Sequence, residues 1–457
     1  MNHWSAYMEP FHQHIFVCTH EKPEGVASCP NHGSLRVLQA LRRELDSQGL
    51  DHQVQLTACG CLGLCENGPV MVTYPEGIWY RGVKEEDVPE IVDSHLRSGK
   101  VVSRLVWNDG PAMKAEISES RNHDRAVVQA KEEAGTLPDS FNETIRSFMS
   151  SRAVLTALEL DVFTAVASGA SAEQAAGKIQ ADPRATEMLL NVLVSLKLLD
   201  KKEGRFLNTV AAARFFCEGS RDNARGGLMH TAQLWHRWSS LTECVRAGTS
   251  VETGSREDRS VSDFIAAMDR NARERADAVV KATGVDGIQR MLDLGGGSGA
   301  YSIAFARAVP GLKSEILDRS DVLPLTQGYI REAGLADRIA TRAGNMLCDP
   351  LGENYDLILA SAICHMFSPE ENRGLFRRVR QALGPKGKFV VQDFILEPDK
   401  TAPQFAALFS LNMLVGTRAG SSYSEPEYAS WLRDAGFSNV RRVRLPGPAG
   451  LMIAAGA

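Results

Sequence analysis

The chain has 457 residues, enough for several domains that each bury a core of their own. A formal net charge of −5 excludes the strongly basic character expected of a nucleic-acid or anionic-membrane binder. The first ten residues lack the basic and apolar blocks of a secretory signal, and Pro403, Gln404, Ser410 and Asn412 break up the longest uncharged run, Thr401 to Thr417. A site-lining helix is expected there instead of a membrane span, in a soluble cytoplasmic protein.

The first elements are those of a small αβ domain, residues 12–105. His14 to Cys18 reads as a strand, Ser34 to Gln48 as an amphipathic helix, and Gln53 to Thr57 as a second strand. After a cysteine-bearing loop come a strand from Val70 to Tyr74 and a helix from Glu85 to Leu96. Five of the nine cysteines (Cys18, Cys29, Cys59, Cys61 and Cys65) fall in this stretch. In a reducing compartment such clustering points to metal ahead of disulfides. Cys18 and Cys29 stand too far apart for the close pairs of structural zinc, whereas iron–sulfur clusters accept looser spacing. Cys217, Cys244, Cys348 and Cys364 are scattered and read as small buried hydrophobes.

Residues 106–138 read as a linker, polar and turn-rich between 107 and 136, with at most a short helix. Residues 139–250 are helical in pattern. Helices over 142–160 and 172–180 precede one from Pro183 to Leu199, capped by Asp182. Lys201 to Arg205 then forms a hairpin tip, which completes a winged-helix arrangement. The face of the helix after Met188 is apolar, where a DNA-reading helix needs Arg, Lys, Asn or Gln. It belongs in a core or a dimer interface.

From 251 to 457 strands and helices alternate, with strands at 290–294, 313–318, 338–343, 355–360 and 387–393, the pattern of a doubly wound parallel sheet. The first strand ends in Asp293 and runs into Gly295, Gly297 and Gly299. Such a turn lets backbone pass close beneath a nucleoside, and an acid just before it suits an ammonium group better than a phosphate. Asp318, at the end of the second strand, stands where an acid can accept both ribose hydroxyls, with Asp321 as competitor. Asn345 and Met346, after the third strand, are placed to flank an adenine. His365 follows a central strand at the edge where such sheets bind ligands.

Two resemblances sharpen this reading. His14-Ile-Phe-Val-Cys18, Cys29-Pro-Asn-His-Gly-Ser34, Gly60-Cys-Leu-Gly-Leu-Cys-Glu-Asn-Gly-Pro69 and Tyr74-Pro-Glu-Gly-Ile-Trp-Tyr80 resemble the thioredoxin-like [2Fe-2S] ferredoxins. That resemblance implies a cluster held by Cys18, Cys29, Cys61 and Cys65, with Cys59 beside the ligands. Residues 142–455 resemble the S-adenosylmethionine (SAM)-dependent O-methyltransferases that include the acetylserotonin and plant phenolic enzymes. The matching segments are Leu158-Glu-Leu-Asp-Val-Phe163, Leu234-Trp-His-Arg-Trp-Ser239, Val391-Gln-Asp-Phe394, Phe409-Ser-Leu-Asn-Met-Leu414 and Trp431-Leu-Arg-Asp-Ala-Gly-Phe437.

The second resemblance implies a winged-helix dimerisation domain, a Rossmann-like SAM domain and a homodimer. It makes His365 the general base, with Asn412 and Met413 lining the acceptor pocket and His230 and Trp235 reaching the same cavity. Two positions depart from the family. His365-Met366-Phe367 replaces the frequent His-Asp-Trp, which leaves orientation of the base to a distant acid, Asp393 or Glu425. Asn345 replaces an acid in the adenine loop. The expectation is an α/β enzyme that methylates a hydroxyl of a small aromatic or quinol acceptor, with a fused redox domain and its own redox partner. Two other readings stay open: a redox carrier or sensor whose SAM domain does not turn over, and methyl transfer to sulfur, carbon or halide.

Overall fold

The computed structural model describes residues 11–22, 26–251 and 261–456. The first ten residues lie outside it, as does the segment 252–260 that adjoins the expected 250/251 boundary. The chain divides into two compact units, one ending at Ile145 and the other beginning at Arg146.

In the first unit, β1 (Gln13–Cys18), α1 (Ser34–Ser47) and β2 (Val54–Cys59) form a parallel βαβ step, and the hairpin β3 (Met71–Tyr74) and β4 (Ile78–Tyr80) adds to the other side of β1. The strand order is β2-β1-β3-β4, with β3 antiparallel to β1. Alternation puts Ile15 and Val17 in the core, and helical spacing sets Val37, Leu38, Leu41 and Leu45 of α1 against them. The expected helix after residue 85 is a continuous helical run in three pieces, Glu85–Asp87, α2 (Val88–Glu90) and Ile91–Arg97.

The segment expected to be turn-rich is instead one long helix, α3 (Gly110–Glu133). Its strong helix formers outweigh its polar character, and Met113 and Ile117, one turn apart, pack on the cysteine-bearing loop. Asn67 donates to Glu116 (2.9 Å), and Lys22 pairs with Asp124 (3.1 Å).

The second unit opens with helices. These are the larger part of α4 (Asp139–Glu159), which starts before the boundary, then α5 (Val162–Ala165), α6 (Ala172–Ile179) and α7 (Pro183–Ser195), followed by the hairpin β5 (Leu199–Lys202) and β6 (Arg205–Asn208). Asp182 caps α7 by accepting from the Ala185 N–H, and Leu190 and Leu193 are fully buried. Met188 and Val192 of α7 and Phe148 and Met149 of α4 stay exposed. Then come α8 (Val210–Phe216), α9 (Arg225–Trp238), α10 (Leu241–Ala247) and α11 (Val261–Thr283).

The remaining elements are β7 (Arg290–Leu294), α12 (Ala300–Ala308), β8 (Lys313–Asp318), α13 (Leu323–Glu332), β9 (Ile339–Ala343), β10 (Tyr355–Ser361), α14 (Pro369–Ala382), β11 (Leu383–Asp393), α15 (Gln404–Gly416), α16 (Glu425–Asp434), β12 (Phe437–Arg444) and β13 (Gly450–Gly456). They build a seven-stranded sheet in the order β12-β13-β11-β10-β7-β8-β9. The expected wholly parallel sheet is corrected here. β12 and β13 extend it beyond β11, and β13 runs antiparallel to both neighbours. Its small residues (Gly450, Ala454, Ala455, Gly456) give a weak strand signal, and pairing along β11 overrides it. Two apolar layers cover the sheet, one around Phe376, Phe389 and Trp431 and the other around Phe305, Ile316 and Val279. The reversal of strand order falls between β7 and β10, so a crevice opens at the C-terminal ends of those strands. Among the described residues no helix is long and apolar enough to cross a membrane.

Candidate active site

At the end of β7 the glycine turn is built by close approach. A Cβ at Gly296 would lie 2.9 Å from the Asp293 carboxyl group and from Ile316. Gly299 opens α12 at φ +78, and a Cβ there would meet Ile316 at 2.9 Å. Two neighbouring strand ends hold the turn in place. The Gly295 N–H donates to the Leu317 carbonyl (2.8 Å), and the Gly297 N–H to the Asp318 carboxylate (2.8 Å). Burial pushes the Asp318 acid above its ordinary range, against the Gly297 and Arg319 N–H groups.

Asp293, expected to face an ammonium group, is enclosed beneath the turn. One oxygen accepts from the Ser302 hydroxyl (2.8 Å), and the other has no partner among the described residues. Burial pushes this acid up to about 7. Asp321 is engaged by Arg319. Asn345 is half of a local turn, its side-chain oxygen accepting from the Leu347 N–H (3.0 Å), and Met346 is buried against Gly295.

His365 sits in a short helical turn, Cys364–Met366, directly after β10. Asn372 of α14 fixes this turn by donating to the Cys364 carbonyl (2.9 Å), as does Tyr423 by donating to the Phe367 carbonyl. The imidazole Nδ1 lies 2.7 Å from an oxygen of Asp393, at the end of β11. A carboxylate can only accept, so Nδ1 carries the proton and Nε2 keeps the lone pair of a base. Asp393 also accepts from the His365 N–H (3.1 Å), the Phe394 N–H (2.9 Å) and the Tyr428 hydroxyl (3.0 Å). Asp393, not Glu425, therefore orients the ring; Glu425 pairs with Arg442 at 3.3 Å. Burial and the charge of Asp393 push the Tyr428 hydroxyl far above its usual acidity range, so it stays protonated as a donor.

Beside His365 stands an aromatic wall. Its ring meets Phe409 edge-on at 4.8 Å, and Phe394 lies 4.5 Å from Phe409 and 4.9 Å from Phe405. Asn412 and Met413 share α15 with Phe405 and Phe409, and Met413 is buried. The tryptophan that meets Asn412 is Trp238, donating from its indole at 3.0 Å. Trp235, expected there, lies three residues earlier on α9. It packs in the helical core, with the Arg152 guanidinium 5.7 Å from its ring. His230 lies edge-on to Phe264 at 5.2 Å. Trp238 and Tyr428 carry no signal of their own in the sequence, because each reads as the buried stripe of an amphipathic helix. Cys364 is fully buried beside His365, whereas Cys348, expected in a core, is exposed.

In the first unit the thiols gather as two pairs. Cys61 and Cys65 approach to 3.5 Å. Cys18 and Cys29 share a hydrogen bond, which pulls the Cys18 thiol down to about 5 and pushes Cys29 up. Burial, then the charge of Cys18, lifts Cys59 to about 11. Leu64 and Val70 are buried among the thiols, with Leu62 and Trp79 packed against them. Among the described residues no three His, Cys, Asp or Glu side chains converge on a point that would hold a single metal ion.

Comparison with known proteins identifies two family matches, an O-methyltransferase dimerisation domain over residues 142–218 and an O-methyltransferase domain over 243–438. The chain is 32% identical to the 3-hydroxy-5-methyl-1-naphthoate 3-O-methyltransferase of Streptomyces sahachiroi, over 70% of this chain and 95% of that protein. The structure of PigF, the Serratia SAM-dependent methyltransferase, with SAH aligns at a TM-score of 0.65 and 27% identity, over 70% of this chain and 99% of that one. Human N-acetylserotonin methyltransferase with SAM aligns at 0.62 and 25% identity, over 70% and 97%.

Proposed function

This chain belongs to the SAM-dependent O-methyltransferases, and from that membership we propose that it methylates a hydroxyl of a small aromatic or quinol acceptor with His365 as general base. The observation that carries the proposal is the buried Asp393–His365 pair, which leaves Nε2 free to accept a proton beside an aromatic wall. When bound, SAM supplies an electrophilic methyl group on a sulfonium that is already a good leaving group. The residues suited to hold it are those of the glycine turn (Gly295, Gly297 and Gly299), with Asp318, Asn345 and Met346 on neighbouring loops. The fit is steric, because the absence of side chains at Gly296 and Gly299 lets the turn close down on Asp293 and Ile316. Asp293 supports the turn from below.

A phenol with a pKa near 10 is about 0.1% ionised at pH 7, so a positioned base contributes roughly 10²–10⁴-fold. Asp393 keeps the proton on Nδ1 and stabilises the imidazolium that forms when Nε2 takes the acceptor's proton. Phe394, Phe405 and Phe409 offer flat apolar surface for a ring and exclude water around it. Trp238 and Asn412 brace α15 against α9, and Met413 shapes the path beside them. The naphthoate acted on by the Streptomyces relative is an acceptor of this shape.

The exposed faces of α4 and α7 support a homodimer, since apolar surface of this kind is costly to leave in water. The first unit supports a thioredoxin-like [2Fe-2S] domain. Its βαβ step plus hairpin contains the strands and helices read from the sequence, and a two-iron cluster takes two thiolates on each iron, which suits two thiol pairs better than one convergent site. Cys18, Cys29, Cys61 and Cys65 would be its ligands, and the cluster would supply one-electron exchange. One role for it is to keep a quinol acceptor reduced and so methylatable, with electrons from a partner protein.

The test is incubation of purified protein with methyl-labelled SAM and fractionated cell extract, followed by mass spectrometry of the labelled product. An O-methylated aromatic compound supports the proposal, and methyl transfer only to sulfur, carbon or halide refutes it. Iron and acid-labile sulfide near two atoms each per chain would support the cluster, and their absence after anaerobic reconstitution would remove it.

A further inference from the structure

The arginines of α11 differ in a way that bears on the acceptor. Arg270 lies 3.8 Å from Glu274, and Arg273 lies 2.7 Å from Asp269, each an ion pair one turn away along the helix. Arg275 makes no ion pair or hydrogen bond among the described residues, although it is partly buried. Instead its guanidinium sits 6.0 Å from the centre of the Phe394 ring, and its charge is felt at the Tyr301 hydroxyl. Phe394 is the hub of the aromatic wall and stacks on His365 at 6.3 Å. Asp393, the acid next to Phe394, is committed to His365 and Tyr428, and Glu274 to Arg270. A partly desolvated cation without a counter-charge is unfavourable, and an arriving anion relieves that cost.

Position along α11 favours one source of anion. Ile265 of α11 reaches the glycine turn, its methyl 3.7 Å from where a Gly297 Cβ would stand. Arg275 follows ten residues later, roughly 15 Å along the helix at 1.5 Å per residue. The guanidinium's own contact is with Phe394, which places it by the aromatic wall beside His365.

We propose that Arg275 binds a carboxylate carried by the acceptor ring, which makes the substrate class an aromatic hydroxy-acid. The inference rests on the methyltransferase reading above and adds the acceptor's charge to it. Arginine suits the role because its planar fork grips a carboxylate with two parallel hydrogen bonds while its face stacks on a phenyl ring.

The experiment uses the full-length protein loaded with SAH, titrated calorimetrically with a hydroxynaphthoate and with the corresponding carboxamide, for wild type and Arg275→Gln. Wild type is expected to bind the carboxylate at least about tenfold more tightly than the amide, and Arg275→Gln to abolish that preference while leaving SAH affinity within about twofold. Arg275→Lys, which keeps the charge without the fork, should restore only part of it. The proposal is overturned if the preference survives Arg275→Gln, if wild type shows none, or if the substitution weakens SAH instead, which would assign the guanidinium to the cofactor's own carboxylate. SAH binding by wild type in the same titrations tests the methyltransferase reading separately.

Discussion

Asp393→Asn tests the catalytic geometry most sharply, because the substitution keeps shape and removes one acceptor. The carboxylate takes four donors, two on each oxygen. The His365 Nδ1–H (2.7 Å) and the Phe394 N–H (2.9 Å) meet one, and the His365 N–H (3.1 Å) and the Tyr428 hydroxyl (3.0 Å) meet the other. An asparagine NH2 must replace one oxygen. Facing Nδ1, it donates there and drives the ring proton to Nε2, which abolishes the base. Facing the other side, it opposes the His365 N–H and loosens the turn. Either way the general-base contribution of roughly 10²–10⁴ is lost, about 3–5 kcal/mol of barrier. Steady-state methyl transfer with the isolated acceptor should show kcat reduced by that factor, with KM for the acceptor and affinity for SAH little changed. Asp393→Asn combined with His365→Ala should be no worse than His365→Ala alone. An Asp393→Asn enzyme within about threefold of wild type across the pH range would refute the reasoning.

Other predictions follow from the same contacts. Tyr428→Phe removes one of the four donors that hold the Asp393 carboxylate against His365; kcat should fall several-fold with SAH affinity unchanged, and an unchanged kcat would show that the hydroxyl only packs. Asp293, with its folded pKa raised from 3.8 to about 7, favours the protonated native state. Its contribution is present in full below about pH 4 and disappears as pH rises through about 7, up to about 4 kcal/mol, so ligand-free wild type should lose thermal stability over that window relative to Asp293→Asn. Parallel melting curves for the two proteins would contradict this. Gly296→Ala forces a methyl group against Asp293 and Ile316, and should cost about 1–3 kcal/mol in unfolding together with measurable SAH affinity. Cys65→Ser should eliminate visible absorption from the reconstituted first unit and leave methyl transfer to a non-redox acceptor intact; loss of both would show that the cluster is required for turnover.

Most of the frame could be read from the sequence because it rests on periodicity. Ile15 and Val17 alternate, Leu190 and Leu193 recur at helical spacing, and the glycines at 295–299 punctuate a strand and a helix. The antiparallel β13 was not legible, since small residues become a strand only by pairing with β11. Nor was α3, whose polar sequence hides two contacts made by Met113 and Ile117. In the site, His365 was marked by its place after β10, but its orienting acid lies 28 residues away, and only the fold selects Asp393 over Glu425. Trp238 takes the place expected of Trp235 because it lies on nearly the same helix face but roughly 4.5 Å further along, where Asn412 stands. Arg275 stood out only once its neighbours on α11 were seen to be paired.

The central claim is that His365 takes the acceptor's proton during methyl transfer. Single-turnover transfer from labelled SAM to the isolated acceptor, with wild type and His365→Ala at saturating ligand, measures this directly. The account predicts a fall of at least about a hundredfold at pH 7, with SAH affinity unchanged and partial recovery at high pH as the acceptor ionises unaided. Transfer by His365→Ala at the wild-type rate, with the same pH dependence, would contradict it.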